Sequence, residues 1–561
     1  MSNAIKEPWL KSYGVVPFHL EYSEKTMSEA VLDTAEREKD FPALAFMGRK
    51  IDFTSLAENI DIVAKAFYAI GVRPGNRVLV CLPNVPQAIY CLYGLNRIGA
   101  VATMVHPLSA VGEIVYDFNE ASCEYAVTLD QFYQKFLEVK KQVKIKKLII
   151  ARVSDELPGI LPILFRLTTE RKFPKVVENG EVLRWNSFVK LAETVTDGYV
   201  ATKDCRGEAV VLFSGGTTGV NKGIMLSDYA FNALALQTVA MCNEEVHHAK
   251  MLAAMPVFHG FGLGVCIHTM MFTGGTSILV PRFNVKSYAE LIKKHRPNFI
   301  AGVPTLFEAI ARNTYLDGVD LSCLRGVFSG GDSLSIELKK KFDAFLAEHN
   351  AGIRIREGYG TTECVTASCL TPYQKEKEGS IGLPYPDTYY RICKPGTDEE
   401  LPYGEEGEIC LTGPSIMIGY INHPEENAST LHTDEDGRVW LHTGDLGMMD
   451  DEGFIFFRQR IKRMIVTSGY NVYPSQIENV LDAHKAVRMS CVIGVPDPYK
   501  MQKVKAFVVL NDGYEDSEEL REDILAHCRQ YVAKYAMPYM VEVRDDLPKT
   551  LVGKVAYSKL S

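Results

Sequence analysis

No C-x-x-C pair occurs anywhere in the 561 residues, although thirteen cysteines are present. That spacing excludes a paired-ligand zinc site and gives no disulfide framework. The closest two, Cys364 and Cys369, have no second pair and no flanking histidine ligands. Most others (Cys81, Cys91, Cys266, Cys410, Cys491) sit in apolar runs, where a reduced thiol packs as a small hydrophobe. A reducing, cytoplasmic setting is expected. Excess positive charge is also missing: 61 basic against 70 acidic side chains leave a net charge of −9. Nothing global therefore draws the chain to nucleic acid, and no nucleic-acid partner is expected. No repeat of 20–50 residues is visible. The first residues lack the apolar core of a signal peptide, and Ser561 displaces the Ser558-Lys559-Leu560 run from a peroxisomal address. With 47% hydrophobic and 23% charged residues the composition is globular, which excludes disordered and fibrous classes.

Charge is absent altogether from Met251 to Pro281, a length that reaches across a bilayer. The same stretch holds Pro256, His259, His268 and five glycines, three of them (Gly260, Gly262, Gly264) nearly adjacent. These residues would weaken a lipid-facing helix and suit a turn-rich buried segment, so the stretch reads as core.

Strand–helix–strand patterns fill the first four-fifths. Arg77–Leu82 reads as a strand, Val85, Ile89, Leu92 and Tyr93 repeat at helical spacing up to Gly99, and Ala100–Val105 reads as a second strand. That is a βαβ unit with parallel strands. Ala209–Phe213 and Ile224–Leu226 are apolar strands flanking a glycine-rich loop, with Ser227 placed to cap the next helix. The pattern changes near the basic run Arg458–Arg463. Beyond it, strands at Ser490–Val495 and Val504–Leu510 and helices near Ile477–Leu481 and Glu519–Tyr531 make a compact α+β tail. A domain boundary is placed at Arg460; a charged surface loop within one domain is the other reading of that run.

The loop itself runs Phe213-Ser214-Gly215-Gly216-Thr217-Thr218-Gly219-Val220-Asn221-Lys222-Gly223. Glycines let the backbone turn its N–H groups outward, and the hydroxyls with Lys222 add donors, which suits a polyphosphate. It is not a Walker A loop, because Lys222 follows Asn221 and precedes Gly223. Alone, it reads equally as a polar hairpin.

The loop resembles the phosphate loop of the adenylate-forming superfamily, which includes acyl-CoA synthetases, 4-coumarate ligases, luciferases and peptide-synthetase adenylation domains. Gly215 and Asn221 stand where that family usually has Ser and Pro. The other family motifs follow in order. Glu357-Gly358-Tyr359-Gly360-Thr361-Thr362-Glu363 resembles the adenine and magnesium motif, and Trp440-Leu441-His442-Thr443-Gly444-Asp445 the ribose motif. Arg460 matches a ribose-contacting arginine, with Gln459 in place of the usual Gly, and Lys462 matches the hinge. Ser468-Gly469-Tyr470 resembles the loop of the thioester step, and Pro548–Lys554 the C-terminal lysine motif.

The resemblance implies an α/β fold: a large N-terminal domain of layered α/β subdomains (1–459) and a small mobile α+β C-terminal domain (460–561). It implies ATP, Mg²⁺ and CoA as cofactors. ATP and AMP fall to Ser214, Gly215, Gly216, Thr217, Thr218, Gly219, Lys222, Gly331, Asp332, Ser333, Glu357, Gly358, Tyr359, Gly360, Thr362, Asp445, Arg460 and Lys554. Glu363 holds the metal. Lys554, Thr362, Glu363 and His259 are the catalytic set, Lys462 the hinge, and Ser468, Gly469 and Tyr470 the CoA channel. His259, Phe261, Gly302 and Gly330 line the acyl pocket, His259 reading equally as a satisfied core histidine.

The implied activity is ATP-dependent conversion of a medium- or long-chain fatty acid to its acyl-CoA. An acyl-AMP ligase loading a carrier protein's pantetheine arm, and a non-catalytic membrane or scaffold relative, are the alternatives. Leu157–Val176 mixes apolar residues with Arg166, Arg171, Lys172 and Lys175. It suits either peripheral membrane contact or a surface helix capping the N-terminal domain.

Overall fold

The computed structural model describes residues 6–215, 221–467, 470–550 and 553–560. The βαβ unit forms as the periodicity requires: strand Arg77–Cys81, helix Pro86–Arg97 and strand Val101–Met104, with the two strands parallel. Pro86 opens the helix, where its missing N–H costs no intrahelical bond. These strands are central in an eight-stranded sheet that also holds Glu208–Gly215 and Asn221–Ser227. The last two pair antiparallel, with Ser214 opposite Lys222 and Gly215 opposite Asn221. The phosphate-loop segment 216–220 lies outside the described residues, but its two stems are fixed by this register. Ser227 accepts the Ala230 N–H (3.1 Å) and caps the helix Asp228–Cys242, as expected.

A nine-stranded sheet carries the other half of the large domain. Its strands Phe299–Gly302, Gly326–Ser329 and Ile355–Tyr359 run parallel, with Gly302 opposite Ser329 and Ser329 opposite Glu357. Their carboxyl ends therefore lie on one edge of the sheet, where ligands bind in open α/β sheets, and the third strand runs two residues further to Tyr359. The uncharged stretch is core: it supplies strands Lys250–Ala253 and Thr276–Leu279 and a buried π-helix, Phe261–His268. Gly260 at its start is required sterically, since a Cβ there would lie 1.8 Å from the Val365 carbonyl oxygen. Among the described residues no helix is long and apolar enough to cross a membrane. All thirteen cysteines are free, and all but Cys323 are buried.

A five-stranded antiparallel sheet includes Val439–Met449 and Ile455–Arg460. The short 3-10 turn Ile461–Arg463 leads from it to the last sheet, built on Val487–Asp497 and Met501–Leu510 with helices Pro474–Asp482 and Glu518–Tyr531 against it. That sheet has its own core, including Ile477, Leu481, Val492, Val508 and Ile524. The basic run is not a solvated loop. Arg458 pairs with Glu406 (2.7 Å), Arg463 pairs with Glu478, and Gln459 is buried.

Candidate active site

Strand register brings the separated motifs to one place. Asp445 and Arg460 are partners across an antiparallel pair, and Arg460 Nε lies 3.3 Å from Asp445 Oδ1. Tyr359, at the end of its parallel strand, donates its hydroxyl to Asp445 Oδ2 (2.7 Å). Burial raises the pKa of Asp445, against the charge of Arg460. The next residues, Gly360–Glu363, turn sharply, and Cys364-Val365-Thr366 closes a γ-turn with Thr366 N–H on the Cys364 carbonyl (2.7 Å). Val365 takes φ 63° and ψ −57° there, a strained conformation for a β-branched residue.

Behind the ribose motif, the Glu408 carboxylate accepts the Gly444 N–H (2.9 Å) and faces His442 Nδ1 (3.2 Å). The other His442 nitrogen meets Asp398 (3.1 Å). Burial disfavours the His442 imidazolium, but the two carboxylates outweigh it and hold the pKa above the usual value. The strand segment carrying Asp445 is thus clamped by a charged network.

A cavity of about 320 Å³ opens on this clamp, lined by Ser214, Lys222, Thr361, Glu363, Tyr420 and Arg460 among others. Lys222 pairs with Glu426 (2.8 Å) and lies over the Tyr420 ring. Tyr420 donates to Glu363 Oε1 (2.8 Å). Hydroxyls, a cation and a hard carboxylate on one wall suit phosphates and fit Mg²⁺, which takes oxygen ligands. Asn221 donates to Asp117 (3.1 Å), whose carboxyl burial pushes up to about 7.

The C-terminal lysine reaches the same place. A Cβ on Gly331, which has φ +83°, would meet Lys554 Cε at 3.3 Å. Asp332, Asp445, Glu363 and Arg460 all act on the Lys554 charge, and burial draws its pKa below the usual lysine value. Thr305 donates to the Gly553 carbonyl (3.0 Å) and Val555 N–H to Asp332 (3.3 Å), which dock the tail on the large domain. Glu357 accepts the Leu334 N–H (3.1 Å), and burial lifts its pKa to about 7.

On the acyl side, His259 Nδ1 accepts the Phe261 N–H (3.2 Å) at the start of the π-helix. Burial, then the Lys554 charge, lowers its pKa to about 3, so the ring is neutral. Phe261 lies against Gly330, where a Cβ would meet its ring at 3.5 Å, while the Cβ position of Gly302 faces Leu306. The structure thus brings together Ser214, Lys222, Gly331, Asp332, Glu357, Tyr359, Glu363, Asp445, Arg460, Lys554 and His259. Lys462 falls in the turn Ile461–Arg463 and Tyr470 in the strand Tyr470–Val472. Gly216, Thr217, Thr218, Gly219, Ser468 and Gly469 lie outside the described residues. Glu408, Tyr420 and Glu426 were not expected. The sequence carried no signal for them, because their contacts form only across elements in the folded chain.

A family profile described as AMP-binding enzyme matches residues 31–421, and one described as AMP-binding enzyme C-terminal domain matches 476–554. The chain is 35% identical over 570 residues to a long-chain-fatty-acid–CoA ligase of Bacillus subtilis, covering 99% of this chain and 98% of that one. It is 30% identical to the enzyme so named from Escherichia coli O6:H1, with 99% and 98% covered. Among solved structures, ATP-bound MatB from Rhodopseudomonas palustris superposes with a TM-score of 0.80 at 25% identity over 95% of this chain and 98% of that one. A benzoate CoA ligase from Burkholderia xenovorans shares the fold, with a TM-score of 0.81 at 21% identity over 96% and 99%.

Proposed function

Since the chain belongs to the AMP-binding enzyme family, within the adenylate-forming superfamily, we propose that it is an ATP-dependent acyl-CoA synthetase acting on medium- or long-chain fatty acids. The carrying observation is Lys554 of the small domain seated against Gly331 of the large one, where the charges of Asp332, Arg460, Asp445 and Glu363 act on it. A carboxylate is a poor electrophile, and its attack on the α-phosphorus of ATP brings two anions together. The C–O–P anhydride forms as the bond to pyrophosphate breaks. Lys554 bridges the carboxylate and the α-phosphate in this step, and Lys222 with the loop amides holds the outgoing phosphates. Mg²⁺ at Glu363, when bound, adds positive charge to the same oxygens. Asp445 and Arg460 hold the ribose, and Tyr359 with Gly331–Ser333 and Glu357–Gly360 frames the adenine. Neutral His259 orients the acid from the π-helix side, with Phe261, Gly302 and Gly330 as the pocket wall.

In the second step the CoA thiolate attacks the acyl carbon and AMP leaves. Lys554 then obstructs the thiol, so the small domain turns about Lys462 and presents Ser468, Gly469 and Tyr470 to the pantetheine arm. Peripheral membrane contact and a cytoplasmic location complete the reading; the free, buried thiols support the latter. The test is a panel of carboxylates of graded chain length with ATP and free CoA. Release of AMP with acyl-CoA, maximal on medium or long chains, is expected. Turnover only with a carrier protein would assign the acyl-AMP ligase instead, and no pyrophosphate from any acid would remove the enzyme reading.

A further inference from the structure

The helix Leu161–Thr168 has its apolar stripe on the wrong side for packing. Ile160, Ile163, Leu164 and Leu167 follow helical i, i+3, i+4, i+7 spacing, yet they are 66%, 58%, 48% and 62% exposed. Only Phe165 turns in to the core. Met47, at the tip of the hairpin Pro42–Asp52, is exposed too, and its neighbour Gly48 faces Pro158. An isolated exposed leucine needs no explanation, but a continuous outward stripe does.

Charge is sorted in the same sense. The acids of this region point inward: Glu170 accepts from Ser154 (3.0 and 2.8 Å), Asp155 pairs with Arg166 (3.4 Å), and Glu156 pairs with Arg49 (2.5 Å). Arg171, Lys172 and Lys175 are exposed and form no ion pair among the described residues. The outer face therefore presents aliphatic side chains flanked by unneutralised cations, the pattern of a helix lying in a lipid interface.

We propose that Leu161–Thr168, with the basic turn after it, is a docking face for an anionic lipid bilayer. The stripe enters the acyl boundary and Arg171, Lys172 and Lys175 meet lipid phosphates or carboxylates. A short hydrogen-bonded path ties this face to the acyl side of the site. Gln87 donates to the Arg152 carbonyl (2.9 Å) and Tyr90 to Glu156 (3.5 Å), both from the helix Pro86–Arg97. Just before that helix, Asn84 bonds Ala253 (2.9 Å), Met255 (2.8 Å) and Val257 (2.8 Å), the segment that leads into Phe258 and His259. The inference rests on the proposed lipidic substrate for its purpose, though not for the binding itself.

The test is cosedimentation of the full chain with phosphatidylcholine vesicles, with and without phosphatidylglycerol. Salt-sensitive binding that needs phosphatidylglycerol is expected. I163E/L167E should lower it at least roughly tenfold, and R171Q/K172Q/K175Q should abolish the preference for anionic lipid. Both variants should keep wild-type ligase rates on a water-soluble acid without vesicles, which shows that they fold. Vesicle binding absent from the wild type, or equal in all three proteins, overturns the proposal. So does a dimer in sedimentation equilibrium that I163E/L167E splits, because the stripe would then bind a second copy. Lipid binding of the expected pattern with no acid activated would leave the docking face standing and remove the ligase reading.

Discussion

Asn221 shows how a single side chain can matter at a site whose motif it departs from. It donates to Asp117, which is 2% exposed and has a pKa raised to about 7, chiefly by burial. Unfolded, that carboxyl titrates near 3.9. Between the two values the folded chain holds a proton that the unfolded chain has lost, so this group lowers stability as pH rises through that window, with no further change above about 7. Asp117→Asn removes the cost of burying the charge. A higher melting temperature than wild type is expected at pH 8, with the gap closing toward pH 4; a gap that widens on acidification would contradict the assignment. Residues named by motif, such as Tyr359, Asp445, Arg460 and Lys554, were legible because each motif fixes its own chemistry. Glu408, Tyr420 and Glu426 were not, because their contacts depend on strand register and on pairing with residues far away in sequence.

At the level of elements, the candidate site is assembled by strand ends. Gly302, Ser329 and Glu357 lie level across three parallel strands, the third running on to Tyr359, and the turns after them carry Gly331, Asp332 and Gly360. Strand and helix positions were largely readable from periodicity, within about three residues: Arg77–Leu82 became Arg77–Cys81, Glu519–Tyr531 became Glu518–Tyr531, and Val504–Leu510 became Met501–Leu510. The π-helix and the γ-turn at Val365 had no signal, since the two pack together in the fold, with Gly260 against the Val365 carbonyl, a contact periodicity does not encode. Two alanine substitutions separate local from tertiary demands on glycine. Gly112, in the helix Val111–Glu120, has open space at its Cβ position, so Gly112→Ala should raise stability by about 0.5–1 kcal/mol, read by denaturant melts. Gly260→Ala would force a methyl to 1.8 Å from a backbone oxygen, and loss of both half-reactions with a lower melting temperature is expected. Wild-type rates for Gly260→Ala would show that the π-helix can shift without consequence.

For the whole molecule, the decisive feature is that few polar contacts hold the small domain. Arg312 meets Asp512 at 2.8 Å, but both are well exposed, and pairs of that kind contribute only about 0–1 kcal/mol; Arg488 and Glu308, more buried, approach only to 3.9 Å. The tail adds the Thr305–Gly553 and Asp332–Val555 bonds. Such contacts can break within a catalytic cycle, and a cleft of about 690 Å³ already separates parts of the two domains. In the proposed two-step cycle, the turn Ile461–Arg463 is the covalent link that bends. Lys462→Pro fixes one torsion there and disfavours helical geometry at Ile461. Thioester formation should fall more than adenylation, and an equal fall in both would count against a pivot at this residue.

The most direct measurement takes Lys554→Ala through the two half-reactions separately. Adenylation, followed as pyrophosphate release in a single turnover, should slow by at least about 10²-fold, the scale of one lost transition-state donor. Thioester formation from supplied acyl-adenylate and CoA should stay near the wild-type rate. An adenylation rate unchanged by the substitution would contradict the account.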